Sequence, residues 1–215
     1  MNGRVAIAKN GSTKGSGVVY WMSREQRVYS NFALLAALEY GVSRSIPVVV
    51  ALCVSADFLG ALPEAFAFMG EGLKEVEEAL KAKNIPFRLL YGEPPVAVAD
   101  FARSIGAEAV FVDSDPLKIK KVWNRQFLGL FDGSVFEVDS RCVVPARLVS
   151  QKKEFAAYTI RPKITKLLPD FLKQAVDIPV QSGKPEFYIN DYSRFEGLPK
   201  NRFLRGGYSE AKRLL

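Results

Sequence analysis

The side chains with most capacity for chemistry gather in two polar stretches, each placed at the end of an apolar run. Ser23, Arg24, Glu25 and Arg27 follow Val18–Met22, and Asp113, Ser114 and Asp115 close the run that begins at Ala109. The first set offers cations and donors to a ligand or to a neighbouring domain. Equally, it reads as the polar entrance of a helix, with Glu25 favouring the positive helix terminus. The second offers hard oxygens to a cation such as Mg²⁺. Asp115 before Pro116 reads more simply as an N-cap with proline at the first helical position. Phe58, Phe66 and Met69 sit near or after a second apolar run, where a flat ring could stack or a core could pack.

The chain has no histidine, which removes Ser-His-Asp and Cys-His triads, HExxH metal sites and imidazole acid–base work. Its two cysteines, Cys53 and Cys142, lie far apart, without metal-ligand spacing, and each reads as a small buried residue in a strand-like run. Chemistry must therefore come from carboxylates, lysine, arginine, tyrosine or a bound cofactor.

These residues need a scaffold, and the apolar pattern supplies one. Val18–Met22, Pro47–Val54, Pro86–Tyr91, Ala109–Asp113 and Ser134–Asp139 read as strands. Val28–Tyr40, Glu64–Lys83 and Val96–Ile105 carry apolar residues at three- and four-residue steps and read as helices. Gly41 is expected to stop the first of them. Alternation of this kind implies an α/β fold with a five-stranded, doubly wound parallel sheet and helices on both faces. Ligands of such sheets bind beyond the strands' carboxyl ends, where strand order reverses. The loops to inspect are Met22–Arg27, Ser55–Ala61, Gly92–Pro95 and Asp113–Lys118. The Gly/Ser stretch Asn10–Gly17 precedes its strand, so it reads as a linker and not as a phosphate loop.

Beyond Val143 the alternation stops. Gln151–Gln174 reads as mostly helical with interruptions at Pro162 and Pro169, Asp177–Gly207 as irregular, and Tyr208–Leu215 as the first turns of a helix. The expected organisation is a flexible stretch over 1–16, an α/β domain over 17–150, a connector over 151–207 and the beginning of another domain over 208–215. The net charge is +7, and residues 151–215 hold 13 Lys+Arg against 7 Asp+Glu. A basic tail interleaved with Phe195, Phe203 and Tyr208 could meet nucleic acid or dock on a partner domain. No apolar run approaches the roughly 18–20 residues needed to cross a bilayer, and a cytoplasmic location is the default expectation.

Particular stretches go further. VVYWMSREQRVYSNFALL (Val18–Leu35), NIPFRLLYGE (Asn84–Glu93), DPLKIKKVW (Asp115–Trp123), VDSRCVVPARLVSQKKEFAAYTIRPKI (within Glu137–Ile164) and the closing GGYSEAKRLL resemble, in collinear order over about residues 17–215, the amino-terminal half of class II cyclobutane pyrimidine dimer photolyases. The resemblance implies a Rossmann-like domain in a light-driven DNA-repair flavoprotein, a carbon–carbon lyase. Such a domain often hosts an antenna, an 8-hydroxy-5-deazaflavin or a folate. FAD and the flipped-out lesion belong to a carboxy-terminal helical domain. That domain is expected as a missing or separate partner, so the chain alone is expected to lack catalysis and to meet damaged DNA only indirectly.

By this resemblance the candidate cofactor residues are Ser23, Arg24, Glu25, Arg27, Asn31, Phe58, Asp113, Asp115 and Lys118. Tyr158, Arg161, Lys163, Arg202 and Arg205 are candidates for the interdomain seam or DNA. The sequence departs from the family's pattern at Ser30, at Lys118 and at Arg141-Cys142, positions that bear on the antenna more than on the fold. Two other readings remain: a stand-alone nucleotide-binding stress or sensor protein, and a nucleic-acid-binding module driven by the basic tail. The first would be favoured by a glycine-rich loop after the fourth strand, but Ser114–Lys121 contains no glycine.

Overall fold

The computed structural model describes residues 3–11, 14–174 and 177–215. Its centre is one six-stranded sheet in the order β1-β6-β5-β2-β3-β4. The strands are β1 (Val5–Lys9), β2 (Gly17–Trp21), β3 (Val48–Val54), β4 (Phe87–Tyr91), β5 (Ala107–Asp113) and β6 (Ser134–Val138). All neighbouring strands are parallel except β1, which runs antiparallel to β6. The α/β class and the parallel core are as the sequence implies.

Period-two alternation sorts each central strand onto two cores. Val18, Tyr20, Val50, Leu52 and Phe111 face α1 (Phe32–Arg44) and α2 (Pro63–Ala82). Val19, Trp21, Val49, Ala51 and Val110 face α3 (Pro94–Ser104) and α4 (Lys118–Leu130). Because both faces are covered, the strands read as continuous apolar runs. Among the described residues no helix is long and apolar enough to cross a membrane.

Three expectations are corrected. The sheet has six strands, because Val5–Lys9, inside the stretch expected to be flexible, pairs with β6. Five residues carry too little periodicity to announce a strand; long-range bonds make this one. The Arg4 guanidinium donates to the carbonyls of Asp139 (2.9 Å), Cys142 (2.8 Å) and Val143 (2.6 Å), and Lys9 Nζ donates to those of Leu128 (2.9 Å) and Phe131 (2.6 Å). The linker reading of Asn10–Gly17 lies partly outside the described residues, which omit Ser12 and Thr13.

Gly41 does not stop α1. It lies inside the helix, where the Ile46 carbonyl and Val48 approach to 2.8 Å of where a Cβ would stand, so only glycine fits there. Ser45, in the left-handed region at φ 57°, ends the helix instead.

The third correction concerns the connector. Past the short α5 (Ala146–Val149), α6 (Ala157–Phe171) continues through Pro162 and Pro169 with no fully buried residue. The irregular segment that follows is packed against the domain. Ile178 is buried in the α1/α2 core, and the Phe195 ring lies over Gly70 of α2. The Asn190 amide accepts from Leu89 N–H (2.8 Å) and donates to the Phe87 carbonyl (2.9 Å), pairing with β4 much as a strand would. The terminal α7 (Tyr208–Leu214) stacks Tyr208 on Tyr29 at 4.6 Å between ring centres.

Candidate functional site

Strand order reverses at β2, which has β3 on one side and β5 on the other. The carboxyl ends of β2 and β5 are tied together there by Asp113, the last residue of β5, which is 2% exposed. Its Oδ2 accepts from the backbone N–H groups of Ser23 (2.9 Å), Arg24 (2.7 Å) and Glu25 (3.0 Å). Its Oδ1 accepts from the Tyr20 hydroxyl at 2.8 Å. Burial, reinforced by the Asp113 charge, holds that hydroxyl protonated well above the usual tyrosine range.

Asn31 completes the clamp. Its amide nitrogen donates to the Tyr20 hydroxyl (3.1 Å) and to the carbonyls of Glu25 (3.2 Å) and Arg27 (2.9 Å). Its oxygen caps α1 by accepting from Leu34 N–H at 2.9 Å. The buried Glu25 carboxylate pairs with Arg27. Asp113, Asn31 and Glu25 therefore lie behind the site and fix the loop that forms its wall. The carboxylate that the sequence offers to a cation is engaged by four protein donors instead.

In front of the clamp opens a cleft of about 490 Å³. Ser23, Arg24 and Arg27 line it from the β2 loop, Cys53 from β3, Phe58, Phe66 and Met69 from the next loop and α2, and Asp115, Lys120 and Trp123 from the β5–α4 side. The rings of Phe58 and Trp123 stand 5.8 Å apart at 49°. Lys120 Nζ sits 5.1 Å from the first ring centre and 4.5 Å from the second, a cation–π arrangement. Burial lowers the Lys120 pKa, against the opposing pull of Asp115 and Asp113. Burial also pushes the Cys53 thiol up to about 12, with Glu93 adding to the effect.

Asp115 does not cap a helix as expected, because α4 begins only at Lys118, with Leu117 at the cap position. Its Oδ1 accepts from Leu117 N–H at 2.9 Å, closing a local Asx-type turn. Its Oδ2 is buried and has no hydrogen-bond partner among the described residues.

Of the nine cofactor candidates, the cleft brings together Ser23, Arg24, Arg27, Phe58 and Asp115, whereas Lys118 is exposed and outside the lining. Lys120 and Trp123 were missed. Their signal lay in the first turns of α4, where a lysine and a tryptophan three residues apart share a helix face. A cleft lined by two tilted aromatic rings with Lys120 over both suits a flat heterocycle. These side chains fit the chromophore that the sequence implies.

The seam candidates do not converge on the cleft. Tyr158 and Arg161 are exposed on α6, and Lys163 pairs with Glu154. Arg202 is exposed and stacks beside Phe203 (5.7 Å to the ring centre), and Arg205 pairs with Glu71 of α2 at 3.4 Å.

Comparison with known proteins agrees with this architecture. The family model described as DNA photolyase matches residues 18–182. A deoxyribodipyrimidine photo-lyase of Arabidopsis thaliana is 36% identical over 178 residues, which is 79% of this chain and 36% of that protein. One from Potorous tridactylus is 37% identical over 158 residues, 73% of this chain and 30% of that protein. The chain thus spans about a third of the length of these relatives. Among solved structures, a Synechocystis cryptochrome superposes with a TM-score of 0.71 at 14% identity, covering 92% of this chain and 44% of that one.

Proposed function

The chain belongs to the DNA photolyase family, and from that premise we propose that it serves as the antenna and scaffold domain of a class II enzyme for light-dependent repair of cyclobutane pyrimidine dimers. The observation that carries this reading is the cleft at the sheet's switch point, lined by Phe58, Trp123, Lys120, Arg24 and Arg27. Phe58 and Trp123 would stack a planar antenna, a deazaflavin or a folate. Lys120 and Arg24 would offset its negative charge. When bound, such a group supplies absorption of light and transfer of the excitation to a flavin.

The residues of this chain bind, orient and shield; none is assigned a bond-making role. Splitting the dimer is assigned to an FAD-bearing domain. Residues 17–150 would form the antenna domain, 151–207 the connector, and α7 would lead into the flavin-bearing part. Tyr158, Arg161 and Lys163 would face that partner across the seam, with Arg202 and Arg205 near the path to DNA. A location in the cytoplasm fits the reading.

The test is a fluorescence titration of the purified chain with 8-hydroxy-5-deazaflavin and, separately, with a methenylated folate. Saturable binding of either at micromolar concentration is the expected result. Absence of binding by both at roughly 100 μM, an affinity weaker than about −5.5 kcal/mol, would remove the chromophore reading and leave family membership untouched.

A further inference from the structure

We propose that the outer face of α4 is a contact surface for the phosphate backbone of undamaged duplex DNA, made by Lys118, Lys121 and Arg125. Lys120 and Trp123 meet the cleft from one side of this helix. At about 100° per residue, the other three positions share an arc of roughly 60° on the opposite side. All three are exposed.

This face breaks several local rules at once. Lys118 and Lys121 stand in the first turn, where the helix dipole favours anions, and α4 contains no acidic residue along its whole length. Lys118 with Lys121, and Lys121 with Arg125, set like charges three and four residues apart, where they repel. Gly129 continues the arc. A Cβ there would meet nothing within 4 Å, so no packing demands glycine, the weakest helix former after proline.

Elsewhere the helices neutralise their cations. Arg44 of α1 pairs with Glu108, Arg103 of α3 with Asp100, and Lys163 of α6 with Glu154. The side chains of Lys118, Lys121 and Arg125 have no hydrogen-bond or ion-pair partner among the described residues. Local rules broken together without compensation inside the fold point to a functional surface. The compensation that is missing here is negative charge from outside.

The layout of the charge selects the partner. Along the axis the cations step by about 4.5 and 6 Å, a row that long side chains can lay on successive phosphates of one strand. The arc has no aromatic platform for unpaired bases, because Trp123 is 7% exposed and turned to the cleft. Within the arc the exposed large apolar side chain is Val122, too little for the apolar centre of a protein interface. Membership of the DNA photolyase family supplies the polymer. Contacts of this kind carry no sequence information. They would hold the chain on intact duplex beside a lesion and let it travel along the DNA.

The experiment follows the fluorescence anisotropy of a short labelled duplex without lesion, titrated with the full chain between about 50 and 200 mM salt. In the triple variant Lys118→Gln, Lys121→Gln, Arg125→Gln, affinity should fall about tenfold or more, and the slope of log K against log salt should shrink by about 2–3, the share of three phosphate contacts. The charge-keeping variant Lys118→Arg, Lys121→Arg, Arg125→Lys should bind as the native chain does. If the triple glutamine variant does not fold, Lys121→Gln alone carries the test, with a slope reduced by about 0.9.

An unchanged slope overturns the assignment, as does failure of the native chain to bind the duplex at low salt. Tighter binding of a single strand of the same length also overturns it. So does competition by polyglutamate as strong as that by duplex at equal total charge, which would point to an acidic polypeptide instead. Failure of deazaflavin and folate to bind leaves this inference untouched, because Lys118, Lys121 and Arg125 take no part in the cleft lining.

Discussion

Asp113 and Cys53 show how position overrides residue type. Asp113 could have been a ligand contact, but its two oxygens are filled by three backbone N–H groups and a tyrosine hydroxyl. Asp113→Ala should therefore act on the loop and not on ligand chemistry. We expect a loss of about 3 kcal/mol, since it strands four donors at once, two of them buried, measured by urea denaturation. Cys53 lines the cleft, but burial raises its thiol to about 12, so the reactive thiolate is scarce at neutral pH. Its labelling by a disulfide reagent should be orders of magnitude slower in the folded protein than in urea, and equal rates would contradict the burial. The sequence made the polar residues of these loops visible, but not their division into wall and support. That division depends on which backbone N–H groups the turn after β2 points inward, and no residue spacing records it. Lys120 and Trp123 stayed hidden for a related reason: only the position of α4 against β5 brings them over Phe58.

At the scale of elements, buried strands and amphipathic helices were legible because their patterns are dictated by burial on one or two faces. β2 to β6 and α1 to α3 fall within a few residues of their expected bounds. β1 and the connector were not legible, since each is held by side chains reaching distant backbone. Asn190→Ala removes partners from Leu89 N–H and the Phe87 carbonyl and takes one donor from Glu77, which keeps the Tyr192 hydroxyl. It should lower stability by about 1–2 kcal/mol and expose an edge open to pairing with another chain. Denaturation with light scattering would record both, and an unchanged midpoint would argue that the connector contributes nothing to β4. The start of α6 is pinned by Glu154, whose carboxyl is drawn from 4.5 down to about 2 by hydrogen bonds from Lys163, Ser150 and Thr159. A depressed folded-state pKa means the stabilisation is complete above the ordinary value and fades as pH falls through 2. Protection factors for amides at the start of α6, measured against the intrinsic exchange rate at each pH, should accordingly fall below pH 4.5, while Glu154→Gln should show low protection throughout.

For the molecule as a whole, charge and shape lead in different directions. The tail carries most of the excess of +7, yet Lys200 and Arg205 pair with Glu71, and Arg213 pairs with Glu210. Deleting residues 177–215 is not a clean probe of nucleic-acid binding, because it would also strip Ile178 and Phe195 from the core. Charge reversal at Lys212 and Arg202 leaves the packing in place. Affinity for duplex DNA is expected in the non-specific range, roughly 10⁻⁴–10⁻⁶ M at physiological salt, and those reversals should flatten its dependence on salt. Tight, strongly salt-dependent binding in a gel-shift titration that these reversals abolish would assign the tail a direct role in recognition. The Asp113 clamp has a separate consequence. By joining the carboxyl ends of two neighbouring strands it stiffens one wall of the crevice, so a pigment seated against it would keep a narrow range of headings. Resonance coupling between two dyes varies with the angle between their transition dipoles, and a rigid mount of this kind would fix that angle in the fold itself.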